Sequence, residues 1–138
     1  MRLVKLGTRE FPNQSDPQAF FAQELPSRKP PGLFPCKQIG KNGLQPDETV
    51  LFTYRCRLRF VAKAKTGRKN NIYVRQADYP HCFEIDMKSL RRADVPLEEV
   101  EHQFRSQSGF QKSRRAQAWT RISGSDQAKQ IIDTLLSS

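Results

Sequence analysis

Apolar and polar positions alternate along the segment TYRCRLRFVAKAK, residues 53–65. Tyr54, Cys56, Leu58, Phe60, Ala62 and Ala64 take the even places, while Arg55, Arg57, Arg59, Lys63 and Lys65 take odd ones. A period of two belongs to an extended strand, so the even side chains are expected inside and the basic ones in solvent. The extended pattern runs from Val50 to Lys65. That is long beside the ~5–6 residues of an ordinary strand, and predicts a hairpin bend near Arg55–Arg57 or one strongly coiled strand. Shorter strands are expected at RLVKL (2–6), IYVRQA (72–77), YPHCFEIDM (79–87) and AWTRI (118–122), with SLRR (89–92) as a turn. In the third of these, Phe83, Ile85 and Met87 alternate with Cys82, Glu84 and Asp86.

Helical spacing appears in three places. SDPQAFFAQEL offers Ser15 or Asp16 as a cap and Pro17 in the first turn, with Phe20, Phe21 and Leu25 on one side. DVPLEEVEHQFRS has Asp94 as cap, Pro96 at the opening and acids in the first turn. SDQAKQIIDTLLSS presents Ala128, Ile131, Ile132 and Leu135 on one side. Between residues 26 and 35, PSRKPPGLFP has too many prolines for regular helix or a central strand. The whole predicts a single α+β domain over residues 1–138, a small mixed, mostly antiparallel sheet curled into a barrel with peripheral helices.

Charge changes the picture most. The formal net charge is +10. Eight basic residues and no acid lie between Glu48 and Asp78, and five more basic residues and no acid between Gln103 and Ser125. A surface selected only for solubility mixes the signs, so this segregation points to a polyanionic partner, nucleic acid above all. Alternate cations along a strand recur every ~6.6–7 Å, close to the phosphate spacing of an extended nucleic-acid strand. The same stripe also suits an exposed sheet face kept soluble by charge. Phe34, Phe52, Tyr54, Tyr79 and Trp119 lie near turns or strand ends beside polar or basic residues. Such rings either stack on an unpaired base or fill the core.

Other chemistries find less support. Cys36, Cys56 and Cys82 are widely spaced with no Cys-x-x-Cys pair, so no zinc site or disulfide framework is indicated, and Cys56 and Cys82 are expected in the core. No metal, cofactor or catalytic nucleophile is expected. Pro46-Asp47 followed by Asp86-x-Lys88 resembles the PD-(D/E)xK nucleases, in which Asp47 and Asp86 would hold Mg²⁺ and Lys88 would activate water. A basic structural RNA-binding protein is the third possibility. No apolar run approaches the ~18 residues of a membrane span, and MRLVKLGTRE lacks the apolar stretch of a signal peptide. The expectation is therefore a soluble cytoplasmic protein that does not engage membranes.

The order of the pieces resembles the EVE domain of the PUA-like superfamily. The likeness lies in RLVKLGTREF, in the proline-rich stretch leading to GLQPDETVLFTY, in LRFVAKAKTGR, in YPHCFEIDMKSL and in AWTRI with its tryptophan. It departs from the family at TYRCRLRF, which leaves almost no loop, and at GTRE in place of a Ser-Glu-Pro-like turn. The resemblance implies a small barrel that binds nucleic acid without cutting it, by flipping a modified base of DNA into an aromatic cage. Phe34, Phe52, Tyr54 and Trp119 would line that pocket, with Thr8 as a polar contact. Lys5, Arg55, Arg57, Lys112, Arg114 and Arg115 would hold phosphates. DNA is favoured over RNA, and an effector nuclease or another protein is the implied partner.

Overall fold

The computed structural model describes residues 2–36, 44–72, 79–104, 120–121 and 126–137. Among these residues seven strands form one strongly curled mixed sheet, a half-barrel with helices on both sides. The strand order is β2 (Leu33–Cys36), β6 (His81–Pro96), β4 (Arg57–Ala64), β3 (Thr49–Tyr54), β1 (Arg2–Lys5) and β7 (Thr120–Arg121), and β5 (Lys69–Asn70) also pairs with β6. The β1–β3 ladder is parallel and the rest are antiparallel.

The long alternating stretch is a hairpin. Its bend falls at Arg55 and Cys56, with φ of 48° and 60°. Positive φ at both central residues gives a turn whose twist suits the flanking strands. Cys56 is thereby exposed at the turn, not buried as its even position predicts. The bend takes it out of the strand, and with it out of the strand's alternation. Further along, Thr53 pairs with Leu58 but Phe52 pairs with Phe60, so Arg59 is an extra residue, a β-bulge. Leu58 and Phe60 consequently enter different cores.

The concave side holds a ring-rich core. Phe20, Phe21, Phe34, Phe52, Tyr54, Phe60 and Phe83 belong to it, with Phe21 stacked on Phe60 at 4.2 Å. It is closed by one helical run: α1 (Asp16–Ala19), a π-helical segment (Phe20–Glu24) and α2 (Leu25–Ser27). Ser15 makes no side-chain cap; the Asp16 carboxylate accepts the Asn13 N–H at 2.8 Å instead. The proline-rich stretch ends in β2, an edge strand where Pro35 removes no needed ladder bond. Gly32 enters it at φ 81°, where an added Cβ would meet the Ile85 carbonyl oxygen at 2.2 Å.

The convex side is aliphatic. Leu3, Leu51, Leu58, Val61 and Val95 pack beneath α3 (Leu97–Phe104) and α4 (Asp126–Ser137) through Val100, Phe104, Ile132 and Leu135. SLRR is strand, not turn: β6 runs through it to Pro96. The turn-like sequence is absorbed by a wide bulge, because Val61 pairs with Arg91 and Lys63 with Asp86, which sets Met87–Leu90 against Ala62 alone. Met87 and Leu90 then lean on the ring core while Lys88 stands in solvent. The predicted cap Asp94 lies in the strand, and the first helical N–H, of Leu97, donates to the Cys56 carbonyl at 2.9 Å. No helix among the described residues is long and apolar enough to cross a membrane.

Candidate nucleic-acid interface

The bulge at Arg59 divides the basic residues of the hairpin. Directly paired residues on neighbouring strands share a face. Arg57 pairs with Tyr54, and Arg92 with Phe60, so both lie on the concave side, beyond the ring core. Lys63 and Lys65 follow Val61 in the alternation and lie on the convex side, past the cover of α3 and α4. The expected single cationic stripe is thus two groups at opposite ends of β4.

At the turn end the guanidinium groups are positioned by the protein itself. Arg55 Nη2 donates to the Pro12 carbonyl at 2.7 Å, and its guanidinium carbon stands 5.3 Å from the Tyr54 ring centroid. Arg57 Nε donates to Asp94 Oδ1 at 2.5 Å, and Arg57 Nη2 to the Asp94 carbonyl at 3.3 Å. That side-chain hydrogen bond holds the Asp94 carboxyl below its ordinary range, and the charges of Arg57 and Arg59 lower it further. Arg59 is half-buried and Arg92 exposed; neither has an ion pair among the described residues. On the convex side Arg91 instead reaches Asp133 of α4 at 3.3 Å.

At the far end Lys63, Lys65 and Lys88 are all exposed around the β6 bulge. Ser89 pins that bulge. Its hydroxyl accepts the Lys63 N–H at 2.7 Å and donates to the Asp86 carbonyl at 2.6 Å. These ammonium groups are flexible point charges, unlike the oriented arginine forks.

The expected base cage is a different matter. Phe52 and Tyr54 are 0% exposed and Phe34 is 7%, so all three rings belong to the core and line no open pocket. The Tyr54 hydroxyl donates to the carbonyls of Phe11 and Asn13, which holds the loop before α1 against β3. Phe34 and Tyr54 look like strand-end residues in sequence, yet Phe20 and Phe21 of the helical run cover Phe34, and Phe11 of the preceding loop packs on Tyr54. Thr8 is exposed after β1, and Lys5 is exposed at its end, across from Thr53. Trp119, Lys112, Arg114 and Arg115 lie outside the described residues. An open groove of about 460 Å³ lies along α1, lined by Phe11 and Phe20 but also by Glu10, Asp16 and Glu24. Carboxylates on its wall make it a poor seat for phosphate.

Metal and thiol chemistry find little footing. Among the described residues no three His, Cys, Asp or Glu side chains gather as a metal site. Asp47 sits in a turn at φ 67° with its N–H donated to the Ala64 carbonyl at 2.7 Å. The Asp86 carboxylate accepts the Lys88 N–H at 3.1 Å. Cys36 lies opposite His81 across the β2–β6 ladder, a pairing the sequence conceals. Burial, with Cys82 adding to it, pushes the Cys36 thiol up to about 12, so it stays protonated and unreactive at neutral pH.

That Asp94 faces Arg57, and that Arg92 shares its side of the sheet, is not legible in local spacing. The available signal was the adjacent pair Arg91-Arg92, which extended structure sends to opposite sides. No protein-family model matches the chain, and no curated protein does.

Proposed function

We propose that the protein is a nucleic-acid-binding module that grips its ligand without cutting it. The observation that carries this is the set of guanidinium groups on β4 and β6: Arg55 held by the Pro12 carbonyl, Arg57 held by Asp94, Arg59 in the β4 bulge and Arg92 across from Phe60, on a chain of net charge +10. Arginine forks match phosphate oxygens two at a time, and Arg55, oriented beforehand by the Pro12 carbonyl, meets an anion at a lower ordering cost. Lys63, Lys65 and Lys88 add a second, less structured attraction that speeds encounter.

The finer reading is a PUA-like, EVE-type reader of a flipped modified base in DNA, acting in the cytoplasm beside an effector protein. With Phe34, Phe52 and Tyr54 committed to the core, the stacking role in this reading falls to Trp119. No described feature favours the Mg²⁺ nuclease built on Asp47, Asp86 and Lys88.

The test is fluorescence anisotropy with labelled plain and base-modified duplexes at several salt concentrations. Binding should weaken steeply with salt, and Arg59→Ala with Arg92→Ala should reduce it. Preference for the modified duplex should disappear in Trp119→Ala. A salt-independent interaction, or a plasmid cut in the presence of Mg²⁺, would refute the proposal.

A further inference from the structure

We infer that Asp94 is a built-in competitor for phosphate: it occupies the Arg57 guanidinium in the free protein and must be displaced when nucleic acid binds. The inference rests on the nucleic-acid reading above and deepens it by naming what limits affinity at that site.

The contact is made from both parts of the same residue. Arg57 Nε meets Oδ1 of Asp94 at 2.5 Å and Nη2 meets its carbonyl at 3.3 Å. A carboxylate held against one edge of a guanidinium takes the position a phosphate oxygen would take. The pair is open to solvent, with the side chains 39% and 71% exposed, so an incoming anion can reach it. Exposed pairs of this kind contribute little to stability and are readily exchanged. The charge of Arg59 also acts on this carboxylate. Other ion pairs of the described structure do not stand in this position: Arg91–Asp133 lies on the convex side and Lys69–Glu84 joins β5 to β6.

An anion that occupies a binding cation has two effects. It must be displaced before that cation can meet a phosphate, and it repels the phosphates beside it. Removing its charge should therefore strengthen binding and recruit one more phosphate contact. The experiment compares the full chain with Asp94→Asn, Arg57→Ala and the double variant, using a labelled mixed-sequence DNA duplex across a salt series. Asp94→Asn should bind roughly three- to tenfold tighter at low salt, and the slope of log affinity against log salt should steepen by about one. In the Arg57→Ala background the gain should shrink, because the occupied cation is gone. Urea midpoints serve as the control that the exposed substitution leaves the fold intact.

Unchanged or weaker binding by Asp94→Asn, with the wild-type chain binding normally, overturns the inference. It would mean that Asp94 is irrelevant to the ligand or positions Arg57 for it. No salt-dependent binding by the wild-type chain would instead overturn the nucleic-acid reading, and the inference would fall with it.

Discussion

The two ends of β4 carry charge of the same sign under different physical control. At the turn end Arg55 and Arg57 are held by a carbonyl and a carboxylate, on the concave side. At the other end Lys63 and Lys65 project from the convex side with no ion pair among the described residues. A single inserted residue, Arg59, separates them, because one bulge reverses which face every later side chain takes. The contrast teaches that a charge stripe in a sequence is a statement about spacing. Whether the charges act together depends on the ladder. An oriented arginine group suits specific anion geometry, whereas free lysines suit general attraction.

The contrast breaks most severely if the sheet between the two ends loosens. Phe52 is fully buried in the ring core, touching Phe21 and Phe34, so Phe52→Ala should cost about 3–5 kcal/mol, read from urea or thermal unfolding. The affinity of both cation groups should then fall in proportion to the unfolded fraction.

Alkali offers a second way to probe the same core. The unfolded Cys36 thiol releases its proton near the ordinary 9.0, while the folded one holds it to about 12. Between those values the folded state binds more protons, so stability is full below the lower value and falls as pH rises through the window. The limiting slope is about 1.4 kcal/mol per pH unit for one thiol. Burial raises Cys82 as well, so both thiols oppose alkali in the same direction. Denaturant midpoints measured across this range should show the decline, and Cys36→Ala should flatten it.

A sharper test sets the two ends against each other. Arg59→Ala with Arg92→Ala should weaken oligonucleotide binding roughly tenfold and reduce the salt slope by about two ions. Lys63→Ala with Lys65→Ala should have the smaller effect at equilibrium and slow association more, as expected of charges that steer. Equal losses would dissolve the distinction between the ends.

The smallest effect should come from Tyr54→Phe. Its hydroxyl ties β3 to the carbonyls of Phe11 and Asn13, and losing it should cost about 1 kcal/mol. Because Arg55 bonds the neighbouring Pro12 carbonyl, the same change should loosen the turn end and leave the lysine end untouched. Amide exchange at residues 11–13 would reveal it.

Much of the fold was legible in the residues. RLVKL, the Val50–Lys65 hairpin, the strand after Pro80 and the last two helices appear where local patterns place them, because each is decided by periodicity and turn chemistry within one segment. Legibility failed where a distant partner decides. SLRR reads as a turn but is strand, since β4 supplies its ladder. Asp94 reads as a cap but pairs with Arg57, which approaches from a different strand. Phe34 and Tyr54 read as strand-end rings available to a ligand, but the helical run from Asp16 covers the first and Phe11 of the preceding loop packs on the second.

By itself the sequence determined an α+β chain with a period-two basic stretch, a strong positive charge and aromatic residues enough for a core. Those properties depend on residue type and near-neighbour spacing, which any chain reveals without folding. Only the tertiary structure decided that the hairpin's cations occupy two faces, that three candidate cage rings are sealed, and that a carboxylate sits on the central arginine. Each of these depends on strand register and on which elements cover which face, relations between residues far apart in the chain that local spacing does not encode.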